Sequence, residues 1–242
     1  MNKGILVVFD GIDGAGKTTQ AKLLLEVLKN ANIDAVLSKE PTNGQWGKII
    51  RSSAINGRLP LDQELDLFIK DREEHVKSLI WPSLEAGKVV ILDRYYYSSI
   101  AYQGARGADV DLIKEKMQEI AIVPDITFII DLDIPTALHR IETKRGDTPD
   151  QFEKADYLEV VQANFINLCE TEKEIHKLNG HNSIGHLHSH VLKDFKNGPL
   201  KNKYCAKDYP NADCGFCSYQ MSKTCDWFEL AKKIIPGIGE EM

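Results

Sequence analysis

The stretch Gly4-Ile5-Leu6-Val7-Val8-Phe9-Asp10, followed by Gly11-Ile12-Asp13-Gly14-Ala15-Gly16-Lys17-Thr18, decides how the rest of the chain is read. Its first part is a short apolar run suited to a buried parallel strand. Its second part fits the phosphate-binding pattern G-x-x-x-x-G-K-[ST] in full. Leu23, Leu24, Val27 and Leu28 then recur at helical spacing. Strand, glycine loop and helix is the context the pattern needs, because backbone N–H groups curl around phosphate oxygens and the helix N-terminus adds a favourable dipole. Gly11 to Thr18, with Thr19, are therefore the expected nucleotide-phosphate contacts. Lys17 supplies a point charge beside the transferred phosphate, and the Thr18 hydroxyl suits a magnesium ion.

The bulk of the chain bounds what surrounds this loop. Its 242 residues suggest one domain, with or without an appendage. A formal net charge of −6 argues against nonspecific nucleic-acid binding. No apolar run approaches the ~18 residues of a membrane span, so no membrane partner is expected. The first strand begins almost at the N-terminus and leaves no room for a secretory signal, so a cytoplasmic location is expected. Five apolar runs recur along the chain: Ile5–Phe9, Ala35–Ser38, Val89–Leu92, Ile126–Ile130 and Ile175–Leu178. Helical patterns lie between them, the clearest over Leu61–Leu84, where Leu65, Phe68, Ile69, Val76, Leu79 and Ile80 fall largely on one face. The alternation predicts an α/β fold, a five-stranded parallel sheet with helices on both faces. A last amphipathic stretch, Ile184–Phe195, completes that layer, and the pattern breaks at Asn197-Gly198-Pro199. The expected organisation is a catalytic domain over 1–197 and a cysteine-rich tail over 198–242.

Four segments narrow the chemistry. Asp93 and Arg94 end a predicted strand, the end that faces the ligand crevice in an open parallel sheet. There a carboxylate can hold magnesium and a guanidinium can fork onto a phosphate. Ser98, Ser99, Tyr102 and Gln103 offer hydroxyls, a ring and an amide suited to a nucleobase edge. Phe68 and Arg72, four residues apart, share a helix face; the ring is either core or a platform on which a base stacks. Glu40 and Pro41 follow the second strand at the same edge.

These pieces together resemble the thymidylate kinase family. The resemblance rests on FDGIDGAGKTTQ (Phe9–Gln20), KEP (Lys39–Pro41), DRxxH in Asp71–His75, DRYYYSSIAYQG (Asp93–Gly104) and PDITFIIDLD (Pro124–Asp133), and it runs over roughly residues 1–196. It implies a nucleoside-monophosphate kinase that transfers phosphate from ATP to dTMP with magnesium, in a cytoplasmic homodimer. By the resemblance Phe68 stacks on thymine, Arg72 meets its carbonyl edge, Arg94 binds the acceptor phosphate, and Tyr102 and Gln103 frame base and sugar. Asp13 lies near the 3′-hydroxyl, and Asp93 near magnesium. The family divides between enzymes with a basic residue inside the P-loop and enzymes with glycine there, whose arginine comes from a lid. Gly14 puts this chain in the second group, with a lid at about 143–152 and Arg145 as its catalytic cation. Gln151 replaces the arginine often found in the family's D-R-x-E segment.

The tail departs from that pattern. Cys205-x8-Cys214-x2-Cys217-x7-Cys225 has the short central spacing by which two thiolates reach one ion. Zinc held by these four cysteines is the expected reading, with an iron–sulfur cluster or unligated thiols as alternatives. Cys169, alone in a helical stretch, reads as core or spectator. His181, His186, His188 and His190 read as solvated surface residues. Two other functions compete with the dTMP kinase reading: a P-loop kinase for another nucleotide or nucleoside, and a nucleotide-binding adaptor that uses the cysteine tail.

Overall fold

In the computed structural model the described residues are 4–145 and 155–200, without the side chains of 144 and 145. Five strands, β1 (Ile5–Asp10), β2 (Ala35–Lys39), β3 (Val89–Asp93), β4 (Ile126–Asp131) and β5 (Ile175–Asn179), form one sheet in the order β2-β3-β1-β4-β5. Every pairing is parallel. All six residues of β1 are buried, and the alternation of side chains splits them between two cores. Ile5, Val7 and Phe9 join the larger core, while Leu6 and Val8 join a smaller one with Val76, Ile80 and Leu84. A strand covered on both faces explains why this run reads as continuously apolar.

The helices are α1 (Lys17–Asn30), α2 (Gln45–Asn56), α3 (Leu61–His75), α4 (Trp81–Glu85), α5 (Tyr96–Gly104), α6 (Val110–Ile120), α7 (Ile134–Arg140), α8 (Ala155–Thr171) and α9 (Ile184–Phe195). The expected long helix over Leu61–Leu84 is interrupted by a π turn at Val76–Ile80. Pro82 follows within the first turn of α4 and has no N–H to donate, so the regular ladder cannot run through it. The buried face of α3 also differs from the expected apolar one. Glu64, Asp71, Arg72 and His75 are its buried residues, while Leu65 and Ile69 are only partly covered. A polar stripe thus faces the protein interior.

Strand register positions the site. Phe9 and Lys39 both pair with Asp93, which brings the loops after β1, β2 and β3 to one edge of the sheet. The Glu40 N–H donates to the Asp93 carbonyl at 3.1 Å, and the Arg94 N–H to the Phe9 carbonyl at 2.9 Å. A π turn at Lys196–Leu200 continues past α9, and Pro199 and Leu200 are buried. The expected boundary at 197 therefore falls inside a turn that still contributes Leu200 to the larger core. The remaining expected lid residues, Gln151 among them, and the four tail cysteines lie outside the described residues, as does the side chain of Arg145.

Candidate active site

The glycine loop leaves β1 with three left-handed glycines, Gly11, Gly14 and Gly16. A Cβ at Gly14 would lie 2.4 Å from the Ala137 carbonyl oxygen, so this backbone admits only glycine there. The Lys17 ammonium donates to the Ile12 carbonyl at 2.7 Å. Burial, reinforced by the neighbouring positive charge of Arg94, pulls the Lys17 pKa down to about 8. The Thr18 hydroxyl donates to the Asp93 carboxylate. A cavity beside the loop is lined by Gly14 to Gln20 and, across from them, by Arg140, Gly180, Asn182, Ile184 and Leu187. Gly11 and Ile12 do not line it; their carbonyls instead hold Arg94 and Lys17.

A second cavity opens on the other side of the loop, and Asp13 lies in its wall. Glu40, Pro41, Phe68, Arg72, Arg94, Ser98, Tyr102 and Gln103, all named as candidates from the sequence, line it. Phe68 is half-buried and belongs to neither core, which favours the platform reading over the core reading. Ser99 does not line the cavity; it sits behind Arg72 and accepts from Nη1 at 3.1 Å. Ile50, Arg51, Ala54 and Tyr95 complete the wall and were not anticipated. Arg51 lies on the amphipathic helix α2, whose pattern carries no motif; its Nη1 donates to the Pro41 carbonyl at 2.9 Å.

Arginines organise this cavity. Arg94 has φ +73°, a conformation unusual outside glycine that marks stored strain. Its Nη1 donates to the Gly11 carbonyl at 3.0 Å and to Ser98 Oγ at 2.9 Å, and its Nη2 lies 2.8 Å from Asp13 Oδ2. Burial opposes the Arg94 charge, but Asp13, Tyr102, Asp10 and Asp93 outweigh it and hold the pKa well above its ordinary value. Asp10, part of the Phe9–Gln20 motif but given no role there, is fully buried beneath: it accepts from the Ser98 hydroxyl at 2.6 Å and from the Tyr95 and Ser98 N–H groups. Burial raises its pKa, against the pull of Arg94. Arg72 is 1% exposed; Nε and Nη2 each lie 2.8 Å from Glu40 Oε2. His75 Nδ1 reaches Glu40 Oε1 at 3.0 Å.

One other expectation changes. His188 is not a surface residue: it is fully buried, and its Nδ1 meets Gln20 Oε1 at 2.8 Å. Burial lowers its pKa to about 3, so it is neutral, and it ties α9 to the helix that follows the glycine loop. His181 and His190 are exposed, as expected, while His186 is half-buried. Cys169 is half-buried against the larger core, and burial raises its pKa to about 11.

The chain has counterparts among known proteins. The family model for thymidylate kinase matches residues 9–191. This chain belongs to the thymidylate kinase family. A thymidylate kinase of Xanthomonas campestris pv. campestris is 49% identical over 165 residues, which cover 68% of this chain and 72% of the relative. One from Akkermansia muciniphila is 46% identical over 166 residues, 69% of this chain and 80% of the relative. The crystal structure of thymidylate kinase from Ehrlichia chaffeensis superimposes with a TM-score of 0.64 at 31% identity, covering 79% of this chain and 98% of that one. The family match ends before the cysteine segment. Among the described residues no helix is long and apolar enough to cross a membrane.

Proposed function

We propose that this chain transfers the γ-phosphoryl group of ATP to dTMP, giving dTDP and ADP. The observation that carries the reading is the meeting of the two cavities at the glycine loop, with Asp13 on one side and Gly14 to Thr19 on the other. In this reading ATP lies on the loop and α1, with Arg140 and α9 beyond it, while dTMP enters the second cavity, its base against Phe68. Membership of the thymidylate kinase family favours dTMP over another acceptor. It also weighs against an adaptor, as do the intact Lys17, Asp93 and Arg94.

A phosphate monoester is already an oxygen nucleophile at neutral pH, so no general base is required. The protein brings two anions into line and neutralises charge on the moving group. Lys17 and Arg94 flank the meeting point, and Arg145 is assigned to the lid side. Because the backbone at Gly14 excludes a side chain, the loop cannot carry its own arginine there. Thr18 and Asp93 are hard oxygen donors in hydrogen-bond contact, and magnesium is commonly held by one or two such groups plus substrate phosphates. They fit the ion, which when bound neutralises phosphate charge. Homodimer assembly and a cytoplasmic location are carried by the resemblance. A structural zinc on Cys205, Cys214, Cys217 and Cys225, in a tail distinct from the kinase domain, rests on spacing alone.

A coupled ADP-release assay with dTMP as acceptor tests the main reading; no dTMP-dependent ADP release overturns it. Elemental analysis of chelator-free protein tests the tail, with about one zinc per chain expected from four thiolates around one ion.

A further inference from the structure

The polar stripe of α3 carries a residue that neither the phosphate chemistry nor base stacking uses. Glu64 is fully buried, and both its oxygens are engaged. Oε2 accepts from Arg58 Nε at 2.9 Å and lies 2.8 Å from Arg106 Nη1. Oε1 accepts from Arg58 Nη2 at 3.1 Å and from Gln103 Nε2 at 2.9 Å. Two arginines thus fix the carboxylate, and Gln103 takes what remains.

We infer that Glu64 is a positioning residue for base selection: it fixes the Gln103 amide so that its carbonyl oxygen is the group offered to the acceptor base. This inference rests on the proposed acceptor site. A carboxylate flanked by arginines only accepts, so the end of Gln103 that faces it has to be the NH₂. Oε1 is thereby committed to the opposite end, where it is buried and has no hydrogen-bond partner among the described residues. Gln103 lines the same cavity as Phe68 and Arg72. A buried carbonyl without a partner calls for a donor. Thymine and uracil carry a hydrogen on ring nitrogen N3, whereas cytosine carries a lone pair there. The fixed amide therefore favours the first two and repels the third, and it does not separate thymine from uracil.

Glu64→Gln removes the constraint. The two arginines are donors only: Oε2 faces both of them, at 2.9 and 2.8 Å, and Oε1 faces only Arg58 Nη2, at 3.1 Å, so the new amide oxygen is held at the position of Oε2. The new NH₂ then turns toward Gln103, which reverses and offers its own NH₂ to the base. Calorimetric binding of dTMP, dUMP and dCMP to the full chain tests this. Glu64→Gln should lower the dTMP-over-dCMP affinity ratio by about tenfold or more, since a site built for one hydrogen-bond pattern discriminates strongly against its reverse. The dTMP-over-dUMP ratio should hold within about twofold, because both bases present the same N3–H. In a Gln103→Leu background, Glu64→Gln should leave the dTMP-over-dCMP ratio unchanged, as expected of a residue acting through Gln103. If Glu64→Gln fails to fold, Glu64→Asp keeps a negative charge for the arginines while shortening the reach to Gln103, and the same fall in ratio is expected. Equal weakening of all three nucleotides in the folded variant, with both ratios intact, overturns the inference and leaves the acceptor site standing. Absence of dTMP binding by the unaltered chain overturns the acceptor site itself, and this inference with it.

Discussion

The two cavities that meet at Asp13 and Gly14 are built from different materials. The donor-side cavity is mostly loop and helix start: seven consecutive residues, Gly14 to Gln20, whose placement follows from one strand–loop–helix unit. The acceptor-side cavity draws on α2, α3, α5 and the loops after β1, β2 and β3, and two ion pairs hold it together, Arg72–Glu40 buried and Arg94–Asp13 partly so. Backbone N–H groups recognise phosphate with little help from side chains. A base and a sugar need side chains fixed from behind. The donor side should therefore lose chemistry when a charge is removed, and the acceptor side should lose architecture or selectivity.

The sharpest way to break that contrast is Lys17→Ala. The ammonium sits on the loop without anchoring the core, so the variant should fold normally. Turnover in the coupled assay should fall by about 10³-fold or more, because charge aimed at the transferring phosphoryl group is lost. Near-normal turnover would show that the donor loop does not act through this lysine.

On the acceptor side Arg72→Ala should damage the fold itself. Glu40, 5% exposed, would keep His75 but lose both guanidinium contacts. Leaving a buried charge without its partner costs about 3–5 kcal/mol, readable as a lower denaturant midpoint. Adding Glu40→Gln should recover much of that stability, since the uncompensated charge is then gone. A stability close to that of the unaltered chain in Arg72→Ala would mean that the pair is not structural.

Phe68→Ala sharpens the same side from the opposite direction. The ring belongs to neither core, so stability should change little. The dTMP KM should rise about 5- to 150-fold, the equivalent of a lost base stack of roughly 1–3 kcal/mol, with the ATP KM nearly unchanged. Parallel increases for both substrates would instead make Phe68 a packing residue.

The contrast also explains what the sequence made legible. The glycine loop is contiguous, and its chemistry is written in consecutive residues. Strands β1, β3 and β4 were legible because burial on both faces leaves uninterrupted apolar runs, while β2 and β5, at the sheet edges, are only partly buried; the observed ends of all five extend the expected ones by one residue each. Of the acceptor residues, those carried by motifs such as Asp93–Gly104 were found. Others were given no role: Arg51 has no motif and looks like any exposed helix arginine, while Asp10 and Tyr95 lie inside quoted motifs but read as a strand's last residue and a core ring. The face of α3 was misread for a physical reason. Periodicity assumes that the buried stripe is apolar, and here Glu64, Asp71, Arg72 and His75 are buried because each finds a partner from another segment. Those partners lie 27 to 39 residues away along the chain, for example Ser99 for Arg72 and Gln103 for Glu64. His188 was misplaced likewise, since its partner Gln20 is 168 residues away.

The smallest expected effect lies on the donor side and depends on pH. Burial holds the Lys17 pKa at about 8, below the ordinary lysine value of 10.5. The cation is the form that meets phosphate. Its share in the free protein falls from about nine-tenths at pH 7 to about one-tenth at pH 9. Bound phosphates favour the cation, so ATP binding above pH 8 has to take up a proton, and the Kd should rise about tenfold between pH 7 and pH 9. Titrations in buffers of different ionisation heat measure that proton directly. Fold stability should move the other way. Between about pH 8 and 10.5 the unfolded chain binds more protons at this lysine than the folded one, so the Lys17 contribution to stability rises with pH. An ordinary lysine would give flat ATP affinity to beyond pH 9 and no proton uptake. Finding that pattern would mean that the loop holds Lys17 in water, and that the donor cavity is more open than its contacts to Ile12 and Arg94 imply.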